Sequence, residues 1–163
     1  MNSIENVHND KRVVALRNVD GSPLQQPYKS YYKFVFFRHP FTRMVSAWRN
    51  KLQLVKGHIN KYFYKNFGID IIRLTRGKAG LAQFYKDQNG NLVTFKEFIT
   101  GIRHGIVDRH WMPQTEICLP CQVDYEFVGF LEHVNNDTNY VLNQVRYREG
   151  EGRAAGILNL VII

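Results

Sequence analysis

The sequence predicts an α/β protein with a central parallel sheet flanked by helices, and three observations carry that expectation. The run Tyr31–Phe37 is apolar almost without interruption, as suits a strand buried on both faces. It stops abruptly at Arg38-His39-Pro40, and a helix-period pattern begins at once, so a strand feeds directly into a helix. After a stretch of mixed helical character, Tyr125-Glu126-Phe127-Val128-Gly129-Phe130 alternates enough to form a second strand.

Taken in order, residues 1–27 form a polar lead segment, with Gly21-Ser22-Pro23 and Pro27 marking a loop. The first helix is predicted from about Phe41 to Val55, closed by Gly57. Phe41, Met44, Val45, Trp48, Leu52 and Val55 share one face, which leaves Arg43, Ser46 and Asn50 on the other, facing ligand or solvent. Residues 58–93, rich in Tyr, Phe, Lys and Gly, read as short helices joined by loops. Thr94-Phe95-Lys96-Glu97 is a capping box that starts a helix to about Ile102. Asp108 to Pro113 is a loop, and Asn136-Asp137 caps a last helix to about Val145. The main domain thus occupies 28–146, and 147–163 reads as a tail without periodicity.

Composition bounds the function. A chain of 163 residues with 44% hydrophobic and 13% aromatic content can build a real core and is not disordered. No apolar run approaches the roughly 20 residues needed to span a bilayer. The first residues have neither the basic region nor the apolar core of a signal peptide, so the chain as given is expected to be soluble and without an address. Its two cysteines, Cys118 and Cys121, lie together without the further soft ligands a zinc site needs, so no metal is expected. Structural thiols or a disulfide are the expected state, against redox or metal roles. Asn136-Asp137-Thr138 is a glycosylation sequon, meaningful only in the secretory pathway.

Charge is unevenly placed. From Gly21 to Ile69 there is no Asp or Glu, and those 49 residues carry nine Lys and Arg side chains in a protein of net charge +8. Such a field attracts polyanions. Within it, the strand-to-helix turn at Arg38 is an anion site in outline. A helix N-terminus offers unpaired N–H groups and the positive end of its dipole. Arg38 adds a planar fork of donors that matches phosphate or sulfate oxygens, and Ser46 adds a hydroxyl.

The segment Lys33-Phe34-Val35-Phe36-Phe37-Arg38-His39-Pro40-Phe41-Thr42-Arg43-Met44-Val45-Ser46-Ala47-Trp48-Arg49-Asn50-Lys51 resembles the 3′-phosphate-binding motif of Golgi carbohydrate sulfotransferases, most closely the chondroitin and dermatan 4-O-sulfotransferase group. Asp108-x-His110-Trp111-x-Pro113, Cys118-x-Pro120-Cys121 and Asp124 to Glu132 resemble a later block of the same family. Phe67–Arg73 and Val93–Phe98 fit between them in order, and the resemblance covers roughly residues 28–145. Two departures stand out: His39 replaces the family's acidic residue, and Trp48 replaces its common Tyr.

The resemblance implies a partial P-loop-like sulfotransferase fold and transfer of a sulfuryl group from 3′-phosphoadenosine 5′-phosphosulfate to a carbohydrate hydroxyl. By position, Arg38 and Ser46 would hold the nucleotide's 3′-phosphate, and Arg43 would support the loop or the ligand. An acceptor hydroxyl needs a base, for which His110 is the candidate; the competing reading is a hydrogen-bonded loop histidine beside Trp111. The acceptor would be an anionic polysaccharide or glycan, and the setting the lumenal side of the Golgi membrane. The family's upstream loop for the 5′-phosphosulfate is not found in residues 1–30, so an interior piece of a sulfotransferase, possessing the recognition half of the donor site and inactive alone, is expected. The competing function is a non-catalytic glycosaminoglycan binder; a nucleic-acid module is disfavoured, since no recognition motif is present.

Overall fold

The computed structural model describes residues 31–150 and 157–161; the polar lead segment lies outside the described residues. Strands β1 (Tyr32–Phe37), β2 (Phe127–Phe130) and β3 (Ile157–Val161) form one sheet in the order β2-β1-β3. Both pairings are parallel, with Phe34 opposite Phe127 on one side of β1 and Phe36 opposite Val161 on the other. The parallel sheet flanked by helices is thus as predicted. The aperiodic tail is not: residues to Gly150 complete a helix, and Ile157–Val161 adds the third strand. Four apolar residues around Asn159, beside a Gly-rich stretch, show no sustained alternation, but a parallel strand needs none.

The two faces of β1 explain its continuous apolar character. Tyr32, Phe34 and Phe36 pack with Val141 and Val145 of α6 (Val134–Gly150), while Val35 packs on the opposite face with Cys118 of α5 (Gln114–Cys118). Asp137 sits inside the α6 region instead of capping it. Its carboxylate accepts from Phe130 N at 2.9 Å, ahead of a 3₁₀ turn (Leu131–His133) that leads into the helix.

Helix α1 (Pro40–Leu52) starts with proline in its first turn, where a missing N–H is harmless. It stops at Leu52, short of the predicted Val55, and Val55 bridges to His58 around a turn in which Lys56 and Gly57 have positive φ. The predicted inward face is also corrected. Arg43, Ala47 and Leu52 are buried, with Met44 and Trp48 packed beside them, whereas Phe41 is 70% and Val55 43% exposed.

Residues 61–86 form a nearly continuous helical run in place of several short helices. It comprises α2 (Lys61–Phe63), a π-turn (Tyr64–Gly68) and α3 (Ile69–Lys86), bent where Gly77 leaves helical geometry. Gly68 misleads in the sequence because it is helical here. It is needed for contact, since a Cβ would meet the Tyr64 ring at 2.7 Å. Helix α4 (Phe95–Arg103) begins with the predicted capping box, Glu97 N donating to Thr94 Oγ1 and Thr94 N to Glu97 Oε2. Phe63, Tyr64, Ile71, Ile72, Phe84, Phe98 and Trp111 fill a helical core beside the sheet.

Candidate anion cleft and the neighbouring strap

The carboxyl ends of β1 and β2 bound a cleft of about 470 Å³ lined by Arg38, His39 and Pro40 after β1, by Phe130, Glu132 and His133 after β2, and by Gln114. The segment after β1 builds the layer on the Val35 face, and the helix after β2 covers the other. Adjacent parallel strands whose connections leave to opposite faces open a crevice at their carboxyl ends. The cleft lies at that crevice.

Its floor is the start of α1. No side chain caps this helix, its first turn holds no acid, and the first intrahelical bond runs from Arg43 N to His39 O at 3.0 Å. The positive end of the helix dipole thus meets no acid of its own first turn, only the Glu132 carboxylate on His39 N. Half-buried Arg38 stands beside it. Its main chain is clasped by Gln114: Arg38 N donates to Gln114 Oε1 at 3.1 Å, and Gln114 Nε2 donates to Arg38 O at 2.8 Å. His39 N donates to Glu132 Oε1 at 3.1 Å. The main-chain N–H groups of His39 and of Glu132 itself hold that exposed carboxyl below its ordinary range, and the charges of His39 and Arg38 add to this.

Arg43 is elsewhere. It is only 4% exposed, and its guanidinium donates from Nη1 to Met112 O at 2.6 Å and from Nη2 to Arg109 O at 2.7 Å. The sequence placed it on the ligand face; the structure places it under the 108–113 loop, whose inward carbonyls need donors. Burial pulls its pKa down, opposed by the neighbouring Cys118. Ser46 is half-buried in the second turn of α1 and, like Arg43, does not line the cleft.

His110 lies on the strap that Arg43 holds, between the two bonded carbonyls. Its ring Nδ1 is 2.5 Å from Asp108 Oδ1, which also accepts from His110 N at 3.0 Å. The ring meets Phe63 edge-on at 5.2 Å, and Lys51 Nζ stands 4.9 Å from the Phe63 ring centre. A carboxylate at Nδ1 fixes the orientation of the ring. The histidine does not line the Arg38 cleft; Arg43 and the strap link the two regions.

Both cysteines are free: Cys118 is buried and Cys121 exposed. Burial pushes the Cys118 thiol up to about 11 against the pull of Arg43. The pair spans the end of α5 and the left-handed residue Leu119, not an extended approach to a strand. The cleft-lining residues that sequence reasoning missed include Gln114 and Glu132. Glu132 falls inside a family-like block, yet neither residue carries a local signal, because each acts on main chain 76 to 93 residues away.

A parallel α/β sheet thus sets Arg38 beside the start of α1 at its carboxyl edge, an arrangement whose chemistry suits an oxyanion. The chain belongs to the sulfotransferase family, whose profile matches residues 2–152, further upstream than the recognisable motifs. Among curated relatives it is 35% identical to carbohydrate sulfotransferase 14 of Danio rerio over 136 residues, covering 82% of this chain and 35% of the relative. It is 38% identical to carbohydrate sulfotransferase 11 of Rattus norvegicus over 120 residues, covering 70% and 32%. With human carbohydrate sulfotransferase 9 it shares 35% over 143 residues, covering 85% and 31%. The chain thus spans about a third of the length of these relatives. No solved structure matches it.

Proposed function

We propose that this protein transfers a sulfuryl group from 3′-phosphoadenosine 5′-phosphosulfate to a hydroxyl of a glycan or glycosaminoglycan. In this reading the described chain supplies the 3′-phosphate half of the donor site. The observation that carries it is the Arg38 turn, where half-buried Arg38 lines a cleft beside a helix N-terminus with no acid in its first turn, at the carboxyl edge of the sheet. Arg38 holds the 3′-phosphate from the cleft, Ser46 is given the same role by the family resemblance alone, from outside the cleft lining, and Arg43 supports the strap from within. The acceptor oxygen attacks sulfur, the bond from sulfur to the 5′-phosphate oxygen breaks, and the acceptor proton passes to His110 Nε2. Catalysis is mainly positioning and charge stabilisation, as in phosphoryl transfer. The family resemblance supports a setting on the lumenal side of the Golgi membrane; among the described residues no helix is long and apolar enough to cross one.

The test is calorimetric binding of 3′-phosphoadenosine 5′-phosphate to the purified chain, together with sulfate transfer to chondroitin. Arg38→Ala is expected to weaken nucleotide binding by about 100-fold, the loss of a charge-assisted phosphate contact. Unchanged affinity would overturn the reading. A second reading, a non-catalytic glycosaminoglycan binder, is favoured by the acid-free stretch from Gly21 to Ile69. It expects salt-sensitive heparin binding that survives Arg38→Ala.

A further inference from the structure

We infer that Gln114 is a positioning residue of the anion cleft, holding the Arg38 main chain so that its guanidinium and the α1 start address one phosphate. The inference rests on the reading of Arg38 as a 3′-phosphate ligand.

Arg38 follows the last residue of β1, beyond the paired register that ends at Phe37, so the sheet supplies neither of its main-chain partners. The Gln114 amide supplies both, accepting from Arg38 N and donating to Arg38 O. A primary amide presents its donor and acceptor in one plane, and so imitates one residue of an adjoining strand. Glutamate lacks the donor, and asparagine is one methylene shorter.

The clasp is itself anchored. Arg43, five residues after Arg38 on α1, binds Met112 O, and two residues further along stands Gln114. Arg38, α1, Arg43, Met112 and Gln114 therefore form a closed circuit of covalent and hydrogen bonds. Glu132 fixes the next peptide through His39 N. A loop held at two consecutive residues cannot swing the Arg38 main chain away from the α1 start without breaking several bonds, which keeps the cleft backbone formed before ligand arrives.

The experiment compares 3′-phosphoadenosine 5′-phosphate with adenosine 5′-monophosphate, which lacks the 3′-phosphate, by calorimetry on the wild-type chain, Arg38→Ala and Gln114→Met. A positioning role lowers the preference for the 3′-phosphate nucleotide about tenfold in Gln114→Met, the worth of one or two hydrogen bonds, and leaves affinity for the monophosphate unchanged. A merely structural role weakens both nucleotides equally and overturns the inference. So does a full preference retained in Gln114→Met while Arg38→Ala abolishes it. If the wild type shows no preference, the 3′-phosphate reading itself falls. Should Gln114→Met fail to fold, Gln114→Asn, uncharged and one methylene short, gives the same readout.

Discussion

Arg43 Nη1 donates to the carbonyl of Met112 at 2.6 Å from a position almost closed to solvent, so a charge from the basic stretch serves as an interior brace. The brace joins α1 to the strap that carries His110 and then Gln114.

Replacing this guanidinium by an apolar chain of similar length leaves the Arg109 and Met112 carbonyls without donors. Arg43→Met is expected to cost about 2–4 kcal/mol in urea unfolding, the range for orphaning buried groups bonded to a charge. Arg49→Met, on the exposed side of the same helix, is expected to change stability by less than about 0.5 kcal/mol.

Stability should fall in acid through Glu97. Burial raises its pKa, but hydrogen bonds from Arg76 and from the Thr94 main chain and hydroxyl, with the Arg76 charge, outweigh burial and hold it at about 2. The folded value lies below the unfolded one. The contribution is therefore fully present above the unfolded pKa of about 4.3 and is lost as pH falls from there toward 2. It is on the order of 2–3 kcal/mol. Unfolding free energies from pH 7 to pH 2.5 should show the decline, and Glu97→Gln should flatten that part of the curve while lowering stability at pH 7.

The two thiols should separate under alkylation. Cys118 is buried with its thiol pushed up to about 11, so at pH 8 almost none is thiolate. Cys121 is exposed. Iodoacetamide on the native chain, read by peptide mass spectrometry, is expected to modify Cys121 and spare Cys118 until denaturant is added. Equal labelling would contradict the packing of Cys118 on Val35.

Asp108→Asn keeps the size of the side chain but removes the carboxylate at His110 Nδ1. Turnover in the sulfate-transfer assay would overturn the expectation that the chain is inactive alone, and the proposed base role then expects this variant to lower kcat about 100-fold with KM for the acceptor little changed. Equal activity would leave His110 as a loop histidine packed on Phe63.

The parts legible in the sequence are those decided by near neighbours. β1, the Pro-started helix, the Thr94–Glu97 capping box and the second strand each follow from residues a few positions apart. The 61–86 helical run was not legible as one piece, because a glycine such as Gly68 looks the same in sequence whether it ends a helix or lets a ring approach. Ile157–Val161 was not expected because five residues interrupted by Asn159 show too little period to mark a strand, and its pairing with β1 is made 125 residues away.

By itself the sequence determined the strand-turn-helix unit at Arg38, its acid-free surroundings and the family, since local sterics, helix-end electrostatics and motif order need no distant partner. The tertiary structure decided which arginine faces outward and which is buried. Helical periodicity put Arg43 with the ligand-facing side chains, but carbonyls 66 and 69 residues away required donors and drew it inside. It alone decided also that Gln114 would complete Arg38, because a hydrogen bond spanning 76 residues exists only once the chain has closed on itself.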